Sequence, residues 1–186
     1  ANINPELGYK GITAFLIEKG HPGLRLGKRE KKLGIRSSST CEVIVENLKL
    51  PKDQLIGELG KGYKIAIETL NEGRIGIASQ MLGLSRGAFD AAFRYAGERS
   101  QFGRAIKDFQ SIQFEFAKLA SEIEVAKLLV YNAARLKDLG QSFTKEAAIA
   151  KYKTSMIAEE VASSCLEVYG GYGFIEDFPA EKFYRD

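Results

Sequence analysis

The chain has few of the residues that build metal centres, disulfides or nucleophilic triads. Its 186 residues include one histidine, His21, and two cysteines, Cys41 and Cys165. One histidine cannot supply the two that histidine-based metal sites commonly use, and it disfavours a histidine-dependent triad. No Glu-x-x-His motif is present, which excludes a di-iron carboxylate bundle. The cysteines form no C-x-x-C pair, so we interpret them as reduced thiols in an intracellular compartment. We therefore predict no metal site.

Long apolar runs and a strong charge imbalance are also absent. No apolar run approaches the roughly 18–20 residues of a membrane-spanning helix, and no signal or transit peptide is expected. The net charge is only +3, from 27 basic and 24 acidic residues. Because the charges are interspersed, they give little support for a nucleic-acid partner. With 45% hydrophobic residues, the chain can bury a core as one large domain or two small ones.

The first 56 residues have strand-like patterns. Residues 12–17 form a short apolar run, and residues 41–46 alternate between apolar and polar side chains. Glycines and prolines separate these runs, as is typical of turns. Two strands are too few for an independent β domain, which usually needs three or more strands with a covered face. We therefore interpret residues 1–56 as part of a larger β domain.

The rest of the chain, residues 57–186, follows a helical period. Three apolar stripes at 3–4 spacing predict three long helices, with a stop at Gly140 and a start at Ser142 or Thr144. Pro179 opens a short fourth helix over 180–186. The fold class predicted is α+β: a partial β-sheet segment, then an antiparallel helical bundle truncated before its last helix. The stripes are Ile67, Leu70, Arg74, Ile77, Met81, Leu84, Ala88 and Ala91; Phe109, Ile112, Phe116, Leu119, Ile123, Ala126, Val130 and Ala133; and Ala147, Ala150, Thr154, Ile157, Val161 and Val168.

The connection between the first two predicted helices carries more chemistry than a turn requires. Arg99, Gln101, Phe102 and Gly103 lie within five positions. The planar fork of arginine binds phosphate oxygens, a glycine lets backbone approach closely, and an aromatic ring offers a flat face. The chemistry alone leaves two interpretations open, a site for an anionic, flat ligand and a structural corner.

Two further segments are not explained by core packing. Asn71-Glu72-Gly73-Arg74 is expected to interrupt the first helix, because an interior glycine costs about 1 kcal/mol relative to alanine. Either a tight helix crossing with a buried Arg74–carboxylate pair or a ligand against the backbone would explain it.

Residues 167–174 end the third helix with three glycines in four positions, more than a cap needs. They predict a backbone-lined surface for a nucleotide, although they follow a helix and not a strand as in a Rossmann turn.

Together these segments resemble the acyl-CoA dehydrogenase family, and the resemblance covers essentially the whole chain. It is most similar to the short/branched-chain (2-methylbutyryl-CoA) type. The matching motifs lie at residues 8–13, 32–40, 62–63, 70–78, 99–103, 109–110, 167–174 and 179–186.

The resemblance implies an FAD enzyme of fatty acid metabolism and branched-chain amino acid catabolism. It implies that a short or branched-chain acyl-CoA is oxidised to its 2-enoyl-CoA, with electrons passed to electron-transfer flavoprotein. It also implies a homotetramer in the mitochondrial matrix. Residues 1–56 would be the C-terminal part of the middle β domain, and residues 57–186 most of the C-terminal four-helix domain.

The same resemblance implies roles for individual residues. Arg99, Gln101, Phe102 and Gln110 would contact the FAD of a neighbouring subunit, and Arg74 would lie near the catalytic carboxylate. The adenosine half of FAD would lie against Glu167, Val168, Tyr169, Gly170 and Gly171. The acyl-CoA would be surrounded by Tyr9, Tyr63, Asn71, Glu72, Gly73 and Arg74.

Within the chain the resemblance implies no catalytic base. We expect that glutamate in an Ile-Tyr-Glu-Gly segment beyond Asp186. Some relatives carry the base directly before the arginine that matches Arg74, but Gly73 cannot act as one. Glu72 is one position earlier, rotated by about 100° around the helix. We therefore expect the 186 residues alone to be inactive. An acyl-CoA oxidase-like relative and a non-catalytic helical assembly module remain as alternatives.

Overall fold

The computed structural model describes residues 1–186, which form two compact units, Ala1–Leu70 and Asn71–Asp186. The division between them falls inside the first long helix, α1 (Gly62–Glu98). The domain boundary predicted between residues 56 and 57 stays a prediction. No helix combines the length and the hydrophobicity that crossing a bilayer requires.

The first unit contains short antiparallel strand pairs. Strand β1 (Ala14–Phe15) pairs with β4 (Leu55–Ile56), and β2 (Leu24–Arg29) pairs with β3 (Cys41–Val45). Short 3-10 helices occupy Pro5–Gly11 and Lys52–Gln54. The strand predicted at 41–46 is confirmed, whereas the one predicted at 12–17 is reduced to two residues. Strand β2 was not predicted, because Gly27 and three cations dilute its apolar alternation.

Thr13 fixes the start of α1 within the first unit. Its side chain is 1% exposed, and its Oγ1 accepts a hydrogen bond from the Gly60 N–H at 2.9 Å. The Gly62 N–H donates to the Ile12 carbonyl oxygen at 2.8 Å. A Cβ at Gly62 would lie 2.5 Å from the Ala14 nitrogen, so only glycine permits this approach. The contact brings the segment before β1 against the first turn of α1.

The second unit is helical. After α1 come a hairpin of β5 (Ser100–Gln101) and β6 (Arg104–Ala105), then α2 (Gln110–Asp138), α3 (Thr144–Tyr169) and α4 (Ala180–Arg185). The 3-10 turns Ile106–Asp108 and Gly170–Tyr172 precede α2 and follow α3. The helices predicted from the sequence are confirmed, together with the α+β fold class.

The buried seams of α2 and α3 match the prediction, but the seam of α1 does not. Ile67, Leu70 and Ile77 are 37%, 58% and 46% exposed. Ala88 is buried as predicted, but the rest of the seam lies one position further along the helix and consists mainly of small side chains. Alanine and serine let neighbouring helices approach closely, so the packing favours them over the larger apolar residues beside them. The buried residues of α1 beyond its first turn are Ala78, Leu82, Ser85, Ala88, Ala92 and Ala96.

The expected interruption of the first helix is also wrong. Helix α1 runs through Asn71–Arg74 and Gly76 without a break. A glycine lacks only a side chain, so it can keep its backbone hydrogen bonds at a modest cost, about 1 kcal/mol each. The 37 residues of the helix tolerate that cost.

Candidate functional site

A pocket of about 430 Å³ lies in the helical unit where the ends of α1 and α3 meet. One wall comes from the end of α1 and the hairpin that follows it. The other wall comes from the last residues of α3 and the 3-10 turn after it. The structure therefore brings together the segment predicted to bind a nucleotide and the segment for which an anionic ligand was one of two interpretations. The lining residues are Tyr95, Arg99, Gln101, Ile106, Val168, Tyr169, Gly170, Gly171 and Tyr172.

A tight hairpin builds the first wall. Ser100 pairs with Ala105 and Gln101 with Arg104, which leaves Phe102 and Gly103 as a two-residue turn. Their φ values are +52° and +81°, the left-handed backbone that type I′ turns require. Glycine adopts this region freely, but for a bulky aromatic residue it is a strained exception. Phe102 is 92% exposed at the tip.

Backbone hydrogen bonds hold Arg99 at the base of this hairpin. Its N–H donates to the Tyr95 carbonyl oxygen at 2.8 Å, and its carbonyl oxygen accepts from the Ile106 N–H at 2.8 Å. No ion pair in the chain includes Arg99. Its guanidinium carbon instead lies 5.8 Å from the centroid of the Tyr172 ring. The pocket thus holds a positive charge that no carboxylate of this chain neutralises.

Exposed backbone forms part of the second wall. Gly170 ends α3 with φ +58° and ψ −132°, a conformation accessible in practice only to glycine. A Cβ at Gly170 or Gly171 would meet no atom within 4 Å. Gly173 differs, because a Cβ there would lie 2.5 Å from the Leu166 carbonyl oxygen. The third glycine of this motif therefore serves packing, and only the first two leave backbone open to a ligand.

Tyr169 joins the ends of α1 and α3. It is 6% exposed, its ring stacks on Tyr95 at 4.2 Å, and its hydroxyl donates to the Ala91 carbonyl oxygen at 3.1 Å. Burial, together with the nearby Cys165, raises the pKa of Tyr169 above its usual value. The phenol therefore stays protonated and keeps its donor role across the physiological range.

The pocket contains six of the nine residues predicted to contact FAD. Phe102, Gln110 and Glu167 do not line it. Gln110 is the first residue of α2, and Phe102 contacts Phe109 edge-on at 6.2 Å. The sequence reasoning missed Tyr95, Ile106 and Tyr172. Two signals could have found the tyrosines: Tyr95 lies one helical turn before Arg99, and Tyr172 directly follows the glycine pair.

The residues predicted around an acyl-CoA fall in both units. In the first unit, the rings of Tyr9 and Tyr63 lie 5.1 Å apart at 50°, and both are largely exposed. In the helical unit, the Arg74 Nη1 donates to the Asn71 Oδ1. The Asn71 Nδ2 in turn donates to the Thr144 Oγ1 at 3.4 Å.

These contacts remove one of the two explanations for the Asn-Glu-Gly-Arg segment. Arg74 is bound by an amide, and the carboxylate of Glu72 pairs with the Lys137 ammonium at 2.9 Å. A Cβ at Gly73 or Gly76 would meet no atom within 4 Å, so no tight helix crossing within this chain uses them. Within this chain Arg74 therefore has no carboxylate partner and Gly73 and Gly76 serve no tight crossing, and a ligand against this backbone stays a prediction.

Comparison with known proteins agrees with this picture. The family model described as acyl-CoA dehydrogenase, C-terminal domain, matches residues 60–186. The whole chain is 58% identical to a probable short/branched chain specific acyl-CoA dehydrogenase of Dictyostelium discoideum, covering 45% of that protein. It is 52% identical to the mitochondrial short/branched chain specific acyl-CoA dehydrogenase of Rattus norvegicus, covering 43%. A third relative, 45% identical with 49% covered, is the CarC subunit of the caffeyl-CoA reductase–Etf complex of Acetobacterium woodii.

Solved structures share the fold over the full chain. Butyryl-CoA dehydrogenase of Megasphaera elsdenii superposes with a TM-score of 0.98 at 43% identity, with 48% of that protein covered. The prolyl acyl carrier protein oxidase AnaB has a TM-score of 0.95 at 31% identity, with 49% covered. PigA, solved with FAD and proline, has a TM-score of 0.95 at 27% identity, with 49% covered.

The chain therefore spans about half the length of the proteins that it matches. Homologues in this family are FAD-dependent oxidoreductases. The family model covers most of the chain, and the pocket, the hairpin and the glycine pair all lie inside the matched residues. The chain belongs to the acyl-CoA dehydrogenase family.

Proposed function

We propose that the whole protein of which this chain is a part is an FAD-dependent acyl-CoA dehydrogenase. Its substrate would be a short or branched-chain acyl-CoA, and its product the 2-enoyl-CoA. The identity of 52% to 58% with relatives named for short/branched-chain acyl-CoA supports this substrate class. The observation that carries the proposal is the pocket, in which Arg99 and Gln101 converge with the open backbone of Gly170 and Gly171.

The chemistry of the pocket fits a flavin dinucleotide. Arg99 has no carboxylate partner in this chain, so its fork is available for the oxygens of a diphosphate. The backbone of Gly170 and Gly171 leaves room for a close neighbour, and the Tyr95 ring provides a flat apolar surface. These groups would hold the diphosphate and adenosine half of FAD, beside the predicted contacts of Phe102, Gln110 and Glu167 that lie outside the pocket.

The acyl-CoA would lie against α1 at residues 71–74. The bound flavin would supply the hydride acceptor. The Arg74 guanidinium, oriented by Asn71, would place a positive charge near the carboxylate that removes the α-proton, which stabilises that carboxylate as an anion. Glu72 is not assigned as this base, because it is rotated by about 100° around the helix from the position directly before Arg74. We keep the expectation of a glutamate in a segment beyond Asp186, and with it the expectation that residues 1–186 alone are inactive.

Assembly and partners form part of the same proposal. We propose a homotetramer in which Arg99 and Gln101 reach the FAD bound mainly by a neighbouring subunit, and electron transfer to electron-transfer flavoprotein. The naming of the CarC relative as a subunit of an Etf complex supports that partner. The mitochondrial naming of the rat relative supports a location in the mitochondrial matrix.

The replacement Arg99→Ala in the whole protein tests the cofactor assignment. Deleting a charged hydrogen-bond donor should weaken FAD binding by about 10- to 100-fold. The measurement is the dissociation constant of FAD for the flavin-free protein, read from quenching of flavin fluorescence. Arg104→Ala is the matched control, because Arg104 lies on the same hairpin but its guanidinium stacks over Phe109 at 4.1 Å, outside the pocket. Equal FAD affinity in both variants would rule out the role given to Arg99.

A second function has specific support, because AnaB shares the fold and is named an oxidase. An oxidase-like protein would pass electrons from the reduced flavin to oxygen. The flavin is reduced anaerobically with 2-methylbutyryl-CoA, and its reoxidation by oxygen is compared with reoxidation by electron-transfer flavoprotein. Faster turnover with oxygen would favour the oxidase. A purified whole protein without a flavin absorbance band would instead indicate a non-catalytic assembly module.

A further inference from the structure

Tyr172 occupies a position in the pocket that the proposed function does not yet use. It lies directly after the glycine pair, and the Arg99 guanidinium lies over its ring, at 5.8 Å from Cζ to the ring centroid. That distance lies within the roughly 6 Å over which a cation is attracted to a ring face. Since Arg99 has no ion pair in the chain, the ring is its electrostatic partner.

The Tyr172 ring is itself held in place. It stacks on Phe178 with centroids 5.0 Å apart and an angle of 26°. Phe178 contacts Tyr169 at 5.7 Å and Tyr95 at 6.1 Å. Tyr169 is buried and hydrogen-bonded to α1, so this aromatic cluster ties Tyr172 to the rigid ends of two helices. A 45% exposed side chain in a glycine-rich segment is thereby kept in one orientation.

We propose that Tyr172 is a positioning residue, whose ring holds the Arg99 guanidinium at the rim of the pocket, aimed at the diphosphate of the cofactor. This inference rests on the proposed function, because it takes the anion at Arg99 to be the FAD diphosphate. A flexible arginine loses rotamer freedom when it binds an anion. A ring that already orders the guanidinium reduces that loss and so increases affinity. The ring face leaves the N–H groups at the edge of the guanidinium free to donate to phosphate oxygens.

The test is FAD affinity of the flavin-free whole protein, measured for a graded series at position 172. Tyr172→Leu removes the ring and should weaken binding about three- to fivefold, the size of an exposed cation–π contact. Tyr172→Phe keeps the ring face and should change binding less than twofold. Phenylalanines carrying one, two or three fluorines at position 172 keep the shape but withdraw charge from the ring face. Affinity should therefore fall stepwise with fluorine number, and a flat series would overturn the proposal even if the leucine variant does not fold.

A double-mutant cycle with Arg99→Ala separates this proposal from the assignment of the pocket. If the ring acts through Arg99, Tyr172→Leu should have no further effect on FAD affinity in the Arg99→Ala background. Effects that add would mean that the ring contacts the cofactor directly, and would refute the positioning role while leaving the FAD pocket intact. If Arg99→Ala alone leaves FAD affinity unchanged, the pocket assignment fails, whatever the result at Tyr172.

Discussion

The two compact units differ in what they bury. In the helical unit, large side chains such as Leu119 and Val161 are fully inaccessible to solvent. In the unit Ala1–Leu70, the buried residues are Gly11, Thr13 and Gly62, none with a large apolar side chain. The helical unit therefore contains a hydrophobic core of its own, whereas the first unit is organised mainly by backbone and hydroxyl hydrogen bonds.

The exposure of the strand pairs explains why the first unit has no hydrophobic core of its own. Leu26, Val43 and Val45 on β2 and β3 are 54%, 60% and 52% exposed. A two-stranded ribbon cannot cover either of its faces, and independent sheets usually need three or more strands. Apolar side chains on such a ribbon are typical of a sheet that continues into further strands. This supports, without testing, the prediction that residues 1–56 belong to a larger β domain.

The cysteines provide the largest expected contrast, because each unit contains one. Cys165 is 2% exposed in the helical unit, and burial raises the pKa of its thiol from 9.0 to about 12. At pH 8 its thiolate fraction is about one in ten thousand, and the thiolate is the reactive form. Cys41, at the start of β3, is partly exposed. Iodoacetamide at pH 8 should therefore label Cys41 faster than Cys165 by roughly two orders of magnitude or more, as measured by mass spectrometry of tryptic peptides.

Measurements in denaturant and at high pH test whether burial causes the difference between Cys165 and Cys41. In 8 M urea both thiols should react at similar rates, and a slow Cys165 there would contradict burial as the cause. The raised pKa also stabilises the folded state below pH 9, and that contribution is lost as the pH rises from 9 towards 12. The free energy of unfolding should therefore fall more steeply above pH 9 in the native chain than in Cys165→Ala.

The next largest effect concerns the core of the helical unit. Leu119→Ala, at a fully buried position of α2, should lower the free energy of unfolding by about 2–5 kcal/mol, because it leaves a cavity. Leu128→Ala on the same helix is the matched control, since Leu128 is 68% exposed and its loss should cost less than about 1 kcal/mol. Urea unfolding followed by circular dichroism at 222 nm measures both. Equal costs would mean that burial in this unit does not set its stability.

The seam of α2 could be predicted from the sequence, whereas that of α1 could not. In α2 the large residues Phe116, Leu119 and Ile123 carry the helical period and are also the buried ones. In α1 the buried seam uses residues such as Ala78 and Ser85, whose apolar signal is weak. The larger Ile77 beside them dominates the pattern although it is 46% exposed. Large apolar side chains dominate the helical period in the sequence. Helices that pack closely together instead favour small side chains at their contact.

The sequence predicted which segments form the candidate site, but it did not identify all of the residues that line it. Arg99, together with three glycines where one would cap the helix, exceeds what helix packing needs, so the sequence alone identified these segments. The positions of Tyr95 and Tyr172 in the sequence are compatible with the same site, but only the folded chain places the Tyr172 ring against the Arg99 guanidinium. Conversely, Gly173 looks like part of a ligand surface but is required by a backbone contact with Leu166. Only the distances in the folded chain distinguish the residues that line the pocket from those that are required for packing.

Substitutions at the hairpin tip should change stability least, and two neighbouring substitutions there should change it in opposite directions. Phe102 and Gly103 both have positive φ, but only Gly103 is suited to it. Phe102→Gly should stabilise the chain by about 1 kcal/mol, because it relieves left-handed strain at a 92% exposed position. Gly103→Ala should destabilise it by about 1 kcal/mol from backbone strain alone, since a Cβ there meets no atom within 4 Å. Thermal unfolding measures both, and two changes of the same sign would refute this account of the turn. If Phe102 also contacts FAD, Phe102→Gly should raise stability while lowering FAD affinity in the whole protein, which would show that the strained aromatic is retained for the ligand.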